Sequence, residues 1–252
     1  AETAEYLVIE DLFPNGRPYF EKAGIYIADR TTVENSEKMK VTTCLNPLHT
    51  ALAIFGCLLN YNFIYEEMRN HTLKKLVEII GYDEGMKVAV NPKILNPKDF
   101  IKEVIEERLV NPYIPDSPKR IATDTSQKIP IRYGETLKSY AKNGLDASSL
   151  IGIPLTIAAW IRYLMGIDDN GNPMEISPDP MLEELQKHIK NIKFKEPKNL
   201  GNNLKPILSN KTIFAVDLYD EKINLGSKIE NYFSEMISKE NAVKECLEKY
   251  IK

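Results

Sequence analysis

Residues 34–60 read ENSEKMKVTTCLNPLHTALAIFGCLLN. The first part, over 33–45, is polar and suits one amphipathic helix. Asn46 precedes Pro47, and the residue before a proline is pushed out of α-helical geometry. Pro47 suits the first position of a new helix, with Asn46 as its N-cap. The helix that follows, 47–60, is apolar enough to require burial. The stretch therefore predicts a break in the chain under cover of a core helix, and a helical fold around it.

Outward from that stretch the pattern stays helical. Residues 99–110 place Phe100, Val104, Ile105 and Leu109 at helical spacing, with Asp99 in the first turn. Residues 149–165 are apolar on nearly every face and predict a central buried helix, with Pro154 near its start or at a kink. Residues 168–180 read as a loop, and 181–192, 228–238 and 240–251 as amphipathic helices. Residues 193–212, broken by Pro197, Gly201 and Pro206, read as a connection with short helical turns. The early strand-like runs are 6–9 and 25–28, on either side of the turn-rich Pro14-Asn15-Gly16-Arg17-Pro18. The expected class is mostly α and multi-helical, with a short β element at the N-terminus.

Composition narrows the function. The 252 residues carry 33 Lys+Arg against 36 Asp+Glu, a net charge of -3, which argues against nucleic-acid binding led by basic charge. No apolar run approaches the ~20 residues that span a bilayer, so no membrane partner is expected. Cys44, Cys57 and Cys246 are far apart and odd in number, fitting reduced thiols of a cytoplasmic protein. His49, His71 and His188 have no metal-ligand spacing, so no metal is expected. No two of the twelve glycines are separated by a single residue, so the GxGxxG dinucleotide fingerprint is absent, and no GxxxxGK(S/T) phosphate loop is present either.

The break at Asn46 gathers polar groups. On one continuous helix Lys40 and Asn46 would be about 600° apart and face different ways; a bend brings them together. An ammonium (Lys40), a carboxamide (Asn46), an imidazole (His49) and a helix N-terminus would then surround a volume suited to an oxygen gaining negative charge. Each residue also has an ordinary reading: Asn46 an N-cap, His49 a capping or core histidine, Lys40 a solvated lysine. A second cluster runs from Arg120 to Pro130. Arg120 and Lys128, eight residues apart, can reach one anion from neighbouring faces, or Asp124 can bridge them at four-residue spacing on a solvated helix.

At these residues the chain resembles the polyol-specific long-chain dehydrogenase/reductases. The matching pieces are Ile9-Glu-Asp-Leu-Phe-Pro-Asn-Gly-Arg17-Pro18, Glu37-Lys-Met-Lys40, Leu45-Asn46-Pro-Leu-His49-Thr-Ala-Leu, Asn111-Pro112, Arg120 to Pro130, and Ala158-Ala-Trp160-Ile-Arg-Tyr-Leu. The resemblance implies the C-terminal, helical catalytic domain (32–252). Residues 1–31 would be the tail of an NAD(P)-binding domain whose remainder lies outside this sequence. It implies Lys40 as general acid/base, Asn46 and His49 as holders of the reacting oxygen, Glu37 in proton relay, and Arg120 and Lys128 as substrate-binding residues. The cofactor, NAD(H) or NADP(H), would be bound mainly by the other domain, so this chain alone is expected to be inactive. Two departures stand out. One extra residue separates Lys40 from Asn46, and Pro-Leu follows Asn46 where glycine and a small residue are common.

The expected chemistry is hydride transfer between fructuronate, a keto sugar acid, and its alcohol D-mannonate. Mannitol oxidation and tagaturonate reduction are the alternatives, and a non-catalytic helical binding module is the alternative of another class. A lysine at its ordinary pKa of about 10.4 is a poor base near neutrality, so burial or a neighbouring cation has to lower it. Arg120 and Lys128 suit a carboxylate.

Overall fold

A computed structural model describes residues 7–252. Tyr6, the first residue of the expected strand, lies outside them. Strands β1 (Val8–Glu10) and β2 (Tyr26–Ala28) pair in parallel, with Val8 opposite Tyr26 and Glu10 opposite Ala28. Their connection is held by Arg17, which donates to Asp11 at 3.0 Å and to Glu21 at 2.7 Å.

The helices are α1 (Arg30–Met39), α2 (Asn46–Leu58), α3 (Ile64–Glu67), α4 (His71–Glu78), α5 (Pro97–Glu103), α6 (Pro118–Ile121), α7 (Thr125–Ile129) and α8 (Glu135–Asn143). They continue with α9 (Gly152–Tyr163), α10 (Leu182–Ile189), α11 (Lys205–Leu208), α12 (Lys211–Phe214), α13 (Gly226–Met236) and α14 (Ala242–Tyr250). The expected helices at 149–165, 181–192, 228–238 and 240–251 correspond to α9, α10, α13 and α14. The segment 193–212 contains α11 and a short 3₁₀ turn.

Between the α-helices lie π-turns, at Lys40–Cys44, Ile79–Glu84, Val104–Arg108 and Pro130–Gly134. These i→i+5 turns are rare and each admits one residue more than an α-turn. They correct two sequence readings. The segment expected as one helix over 33–45 begins earlier, where Asp29 accepts from Thr32 N–H at 2.9 Å, and its last turn is π. Asn46 is not the N-cap of α2: Leu45 holds that position, with φ −130° and ψ −62°. Pro47 lacks an N–H and crowds the carbonyl four residues back. That disruption is spread over the preceding turn, closed by Leu45 N–H to Lys40 C=O at 3.0 Å, instead of ending the helix.

The rod Arg30–Leu58 is, by length and composition, apolar enough to cross a membrane, contrary to the reading of the sequence. However, 89% of its most apolar window is buried inside the fold, so that apolar surface is used by the core. Within the core α2 packs on α9 and α6, and α9 packs on α13. Every residue of α9 is buried. Glu84 accepts from the N–H groups of Ile151, Gly152 and Ile153 at 2.6, 2.7 and 2.9 Å, satisfying the donors at the start of α9. Gly56 lets α2 meet its neighbours, because a Cβ there would collide with the Glu67 carboxylate and the Pro118 ring. All three cysteines are buried and free.

Candidate active site

Of the thirteen residues of α2, only Asn46 and His49 are not buried. They are three residues apart, so they share one face of the first turns. No hydrogen bond engages the Asn46 carboxamide among the described residues, whereas its main-chain carbonyl accepts from Thr50 Oγ1 at 3.0 Å. His49 Nε2 is 3.6 Å from Asp116 Oδ2, too long for a hydrogen bond but close enough for attraction to orient the ring.

Asp116 is the carboxylate around which the site gathers. It sits in the loop before α6, anchored where its carbonyl accepts from Ile64 N–H at 3.0 Å. Arg120 donates to its Oδ1, and Arg108 Nη2 stands 4.0 Å from Oδ2. One negative charge thus faces two guanidiniums and an imidazole. Neither Arg108 nor Asp116 stood out in the sequence. The four-residue spacing of Asp116 and Arg120 was the available signal, matched by the equal spacing of Asp124 on the other side.

The expected bridge from Asp124 does not form. Asp124 adopts left-handed geometry (φ 53°), which splits the segment into α6 and α7. Pro130 does not stop the chain either; α7 runs through the π-turn Pro130–Gly134 into α8. Lys128 turns back and donates to the carbonyls of Ile121, at 3.0 Å, and Thr123. Burial, then the charge of Arg132, pull its pKa below the ordinary lysine value, and Arg120 adds to the same effect. Arg132, which the sequence reading passed over, donates from Nη1 to Thr50 Oγ1, beside His49. Burial lowers its pKa to about 10. Tyr133 OH donates to Pro47 C=O at 2.8 Å and fixes this π-turn against the start of α2.

Lys40 is half-buried at the junction of α1 and the first π-turn. Glu37, one turn earlier, is exposed and lines a groove of about 630 Å³ with Val33, Lys38, Val41, Ile131 and Glu135. The geometry therefore brings His49, Asp116, Arg108 and Arg120 together; Arg132 reaches α2 through Thr50, Lys128 feels the charges of Arg120 and Arg132, and Lys40 and Glu37 lie at the end of the preceding helix.

Residues 32–237 match the family model described as the mannitol dehydrogenase C-terminal domain. The chain belongs to that family. It is 57% identical to a D-mannonate oxidoreductase of Thermotoga maritima over 99% of this chain and 46% of that protein. It is 35% identical to a mannitol 2-dehydrogenase of Emericella nidulans over 85% of this chain and 40% of that protein. Among solved structures, Pseudomonas fluorescens mannitol 2-dehydrogenase in a ternary complex with NAD and D-mannitol superposes with a TM-score of 0.77 at 26% identity, over 96% of this chain and 45% of that one. A D-sorbitol dehydrogenase in substrate-free form shares the fold, with a TM-score of 0.73. The chain thus spans about half the length of the relatives it matches, and the family's helical C-terminal fold is the one described above.

Proposed function

We propose that this chain is the catalytic part of an oxidoreductase that interconverts fructuronate and D-mannonate. The observation that carries the reading is the cluster of four cations near the start of α2: Arg108 and Arg120 share Asp116, Lys128 has the charges of Asp124 and Asp179, and Arg132 meets no carboxylate among the described residues. An excess of cations in a partly desolvated site suits a carboxylate better than a neutral polyol. The name of the Thermotoga maritima relative supports the same substrate.

In this reading Lys40 gives a proton to the alkoxide formed on reduction and takes it back on oxidation. Asn46 and His49 hold the reacting oxygen, and Asp116 orients His49. Glu37, at the rim of the groove, passes the proton to solvent. Arg120 and Lys128 bind the substrate. The π-turn at Lys40–Cys44 absorbs the extra residue between Lys40 and Asn46, so the lysine keeps the placement that the shorter spacing would give it. A nicotinamide cofactor supplies the hydride. The glycine spacing here does not fit a pyrophosphate cradle, so the chain's partner is a nucleotide-binding domain that carries most of the cofactor, NAD by likeness to the mannitol dehydrogenase complex. The three buried thiols suit a cytoplasmic setting.

The test is a steady-state panel of fructuronate, tagaturonate and fructose with NADH, using the complete protein. Fructuronate is expected to have the highest kcat/KM. A preference for fructose would replace this reading with mannitol oxidation, and a preference for tagaturonate with its reductase.

A further inference from the structure

We infer that Arg132 grips the carboxylate of the substrate and so sets the preference for a sugar acid over a neutral polyol. The inference rests on the proposed oxidoreductase reading and names the residue that makes it specific.

Arg132 is held to the catalytic turn. Its Nη1 donates to Thr50 Oγ1, and that hydroxyl donates to the carbonyl of Asn46 at 3.0 Å. The guanidinium is therefore tied to the turn that carries Asn46 and His49. A guanidinium has five donors in a fixed fork, and the Thr50 hydroxyl is the one acceptor it meets among the described residues. No carboxylate pairs with it there: Asp116 serves Arg120, Arg108 and His49, and Glu135 pairs with Lys138 at 2.8 Å. A neighbouring cation instead adds repulsion, since Lys128 feels the charge of Arg132.

A largely desolvated guanidinium without a counter-charge is costly. The fold could have avoided that cost with an apolar residue. Arg132 is only partly buried, and the planar fork of its remaining donors matches a carboxylate in two-point fashion. The substrate carboxylate would neutralise Arg132. A polyol offers only hydroxyls, which leave that charge uncompensated.

The test uses the complete protein with Arg132→Gln and Arg132→Lys, assayed on fructuronate. For Arg132→Gln the expected loss in kcat/KM is about 10²- to 10³-fold, the order for removing one partner of a desolvated charge pair. It should appear mainly in KM, because the carboxylate is held equally in ground and transition states. Arg132→Lys should recover to within about tenfold of the parent, and it also serves if the glutamine variant does not fold. A loss carried by kcat with KM unchanged, or a lysine variant as poor as glutamine, would overturn the inference and leave the functional reading intact. A parent protein that reduces no hexuronate would overturn both.

Discussion

Arg132 and Arg162 are both guanidiniums that burial holds at about 10, yet their surroundings differ. Arg162, at the end of α9, is wholly buried, and each of its guanidinium nitrogens donates. It donates to the carbonyls of Ile167 at 2.6 Å, Asp168 at 2.9 Å and Met236 at 3.3 Å. Its guanidinium carbon lies 4.8 Å from the centre of the Phe194 ring, and the Asp168 and Asp169 charges favour its ionised form. Those two aspartates are spent on structure, Asp168 accepting from Asn60 and Asn172, and Asp169 from the first turn of α14. Arg132 has one hydroxyl and a neighbouring cation. A buried charge that completes the fold is surrounded by acceptors; one that awaits a ligand is left short of them. Stability and activity should therefore separate between the two regions.

The largest separation is expected at Lys40. In the complete protein Lys40→Ala should lower kcat by ~10²- to 10⁴-fold, as for loss of a general acid/base, with little change in melting temperature. Parent-like turnover would remove Lys40 from the chemistry. Next comes Arg162→Met, which strands the carbonyls of Ile167, Asp168 and Met236. It should cost about 3–5 kcal/mol in denaturant unfolding, whereas Arg132→Gln should shift stability by less than about 1 kcal/mol. Equal losses would erase the contrast drawn above.

Glu67 is a third buried titratable group, with neither carboxyl oxygen hydrogen-bonded among the described residues. Burial, then the charge of Glu66, push its pKa well above the ordinary carboxylate value. The folded protein thus keeps this proton to a higher pH than the unfolded chain does. The stabilisation is complete below about 4.5 and is lost as pH rises through the folded value. Glu67→Gln should flatten the fall of stability above pH 4.5 by up to about 1.4 kcal/mol per pH unit relative to the parent. Parallel profiles for the two proteins would contradict the buried acid. The smallest effect concerns the thiols. Burial raises Cys44 to about 11, and Cys57 and Cys246 to about 12. A thiol reagent at neutral pH should label none of the three in the folded protein and all of them after unfolding; rapid native labelling would show a looser core.

The apolar helices were legible because burial on every side leaves a plain composition signal, as in α9, and the loop 168–180 because Asp, Asn, Gly and Pro favour turns. The π-turns were not. Each inserts one residue into a 3.6-residue period, so 33–45 read as one helix and Asn46 as its successor's cap. Lys40, Asn46 and His49 stood out as a pattern of spacing, and Asn46 and His49 are the two residues of α2 that stay clear of the core. Asp116 was not, since it meets His49 across 67 residues of sequence, a contact no local rule foretells. Arg132 was hidden by Pro130, which reads as a helix stop but here lies inside a continuing turn.

The central claim, that the cation cluster at the start of α2, with Arg132 unpaired, binds the carboxylate of a sugar acid, is tested most directly by calorimetric titration of the complete protein, loaded with NAD, against D-mannonate and D-mannitol. The account predicts that D-mannonate binds at least about 10²-fold more tightly, the order for pairing a desolvated charge. Equal affinity for the two ligands would contradict it.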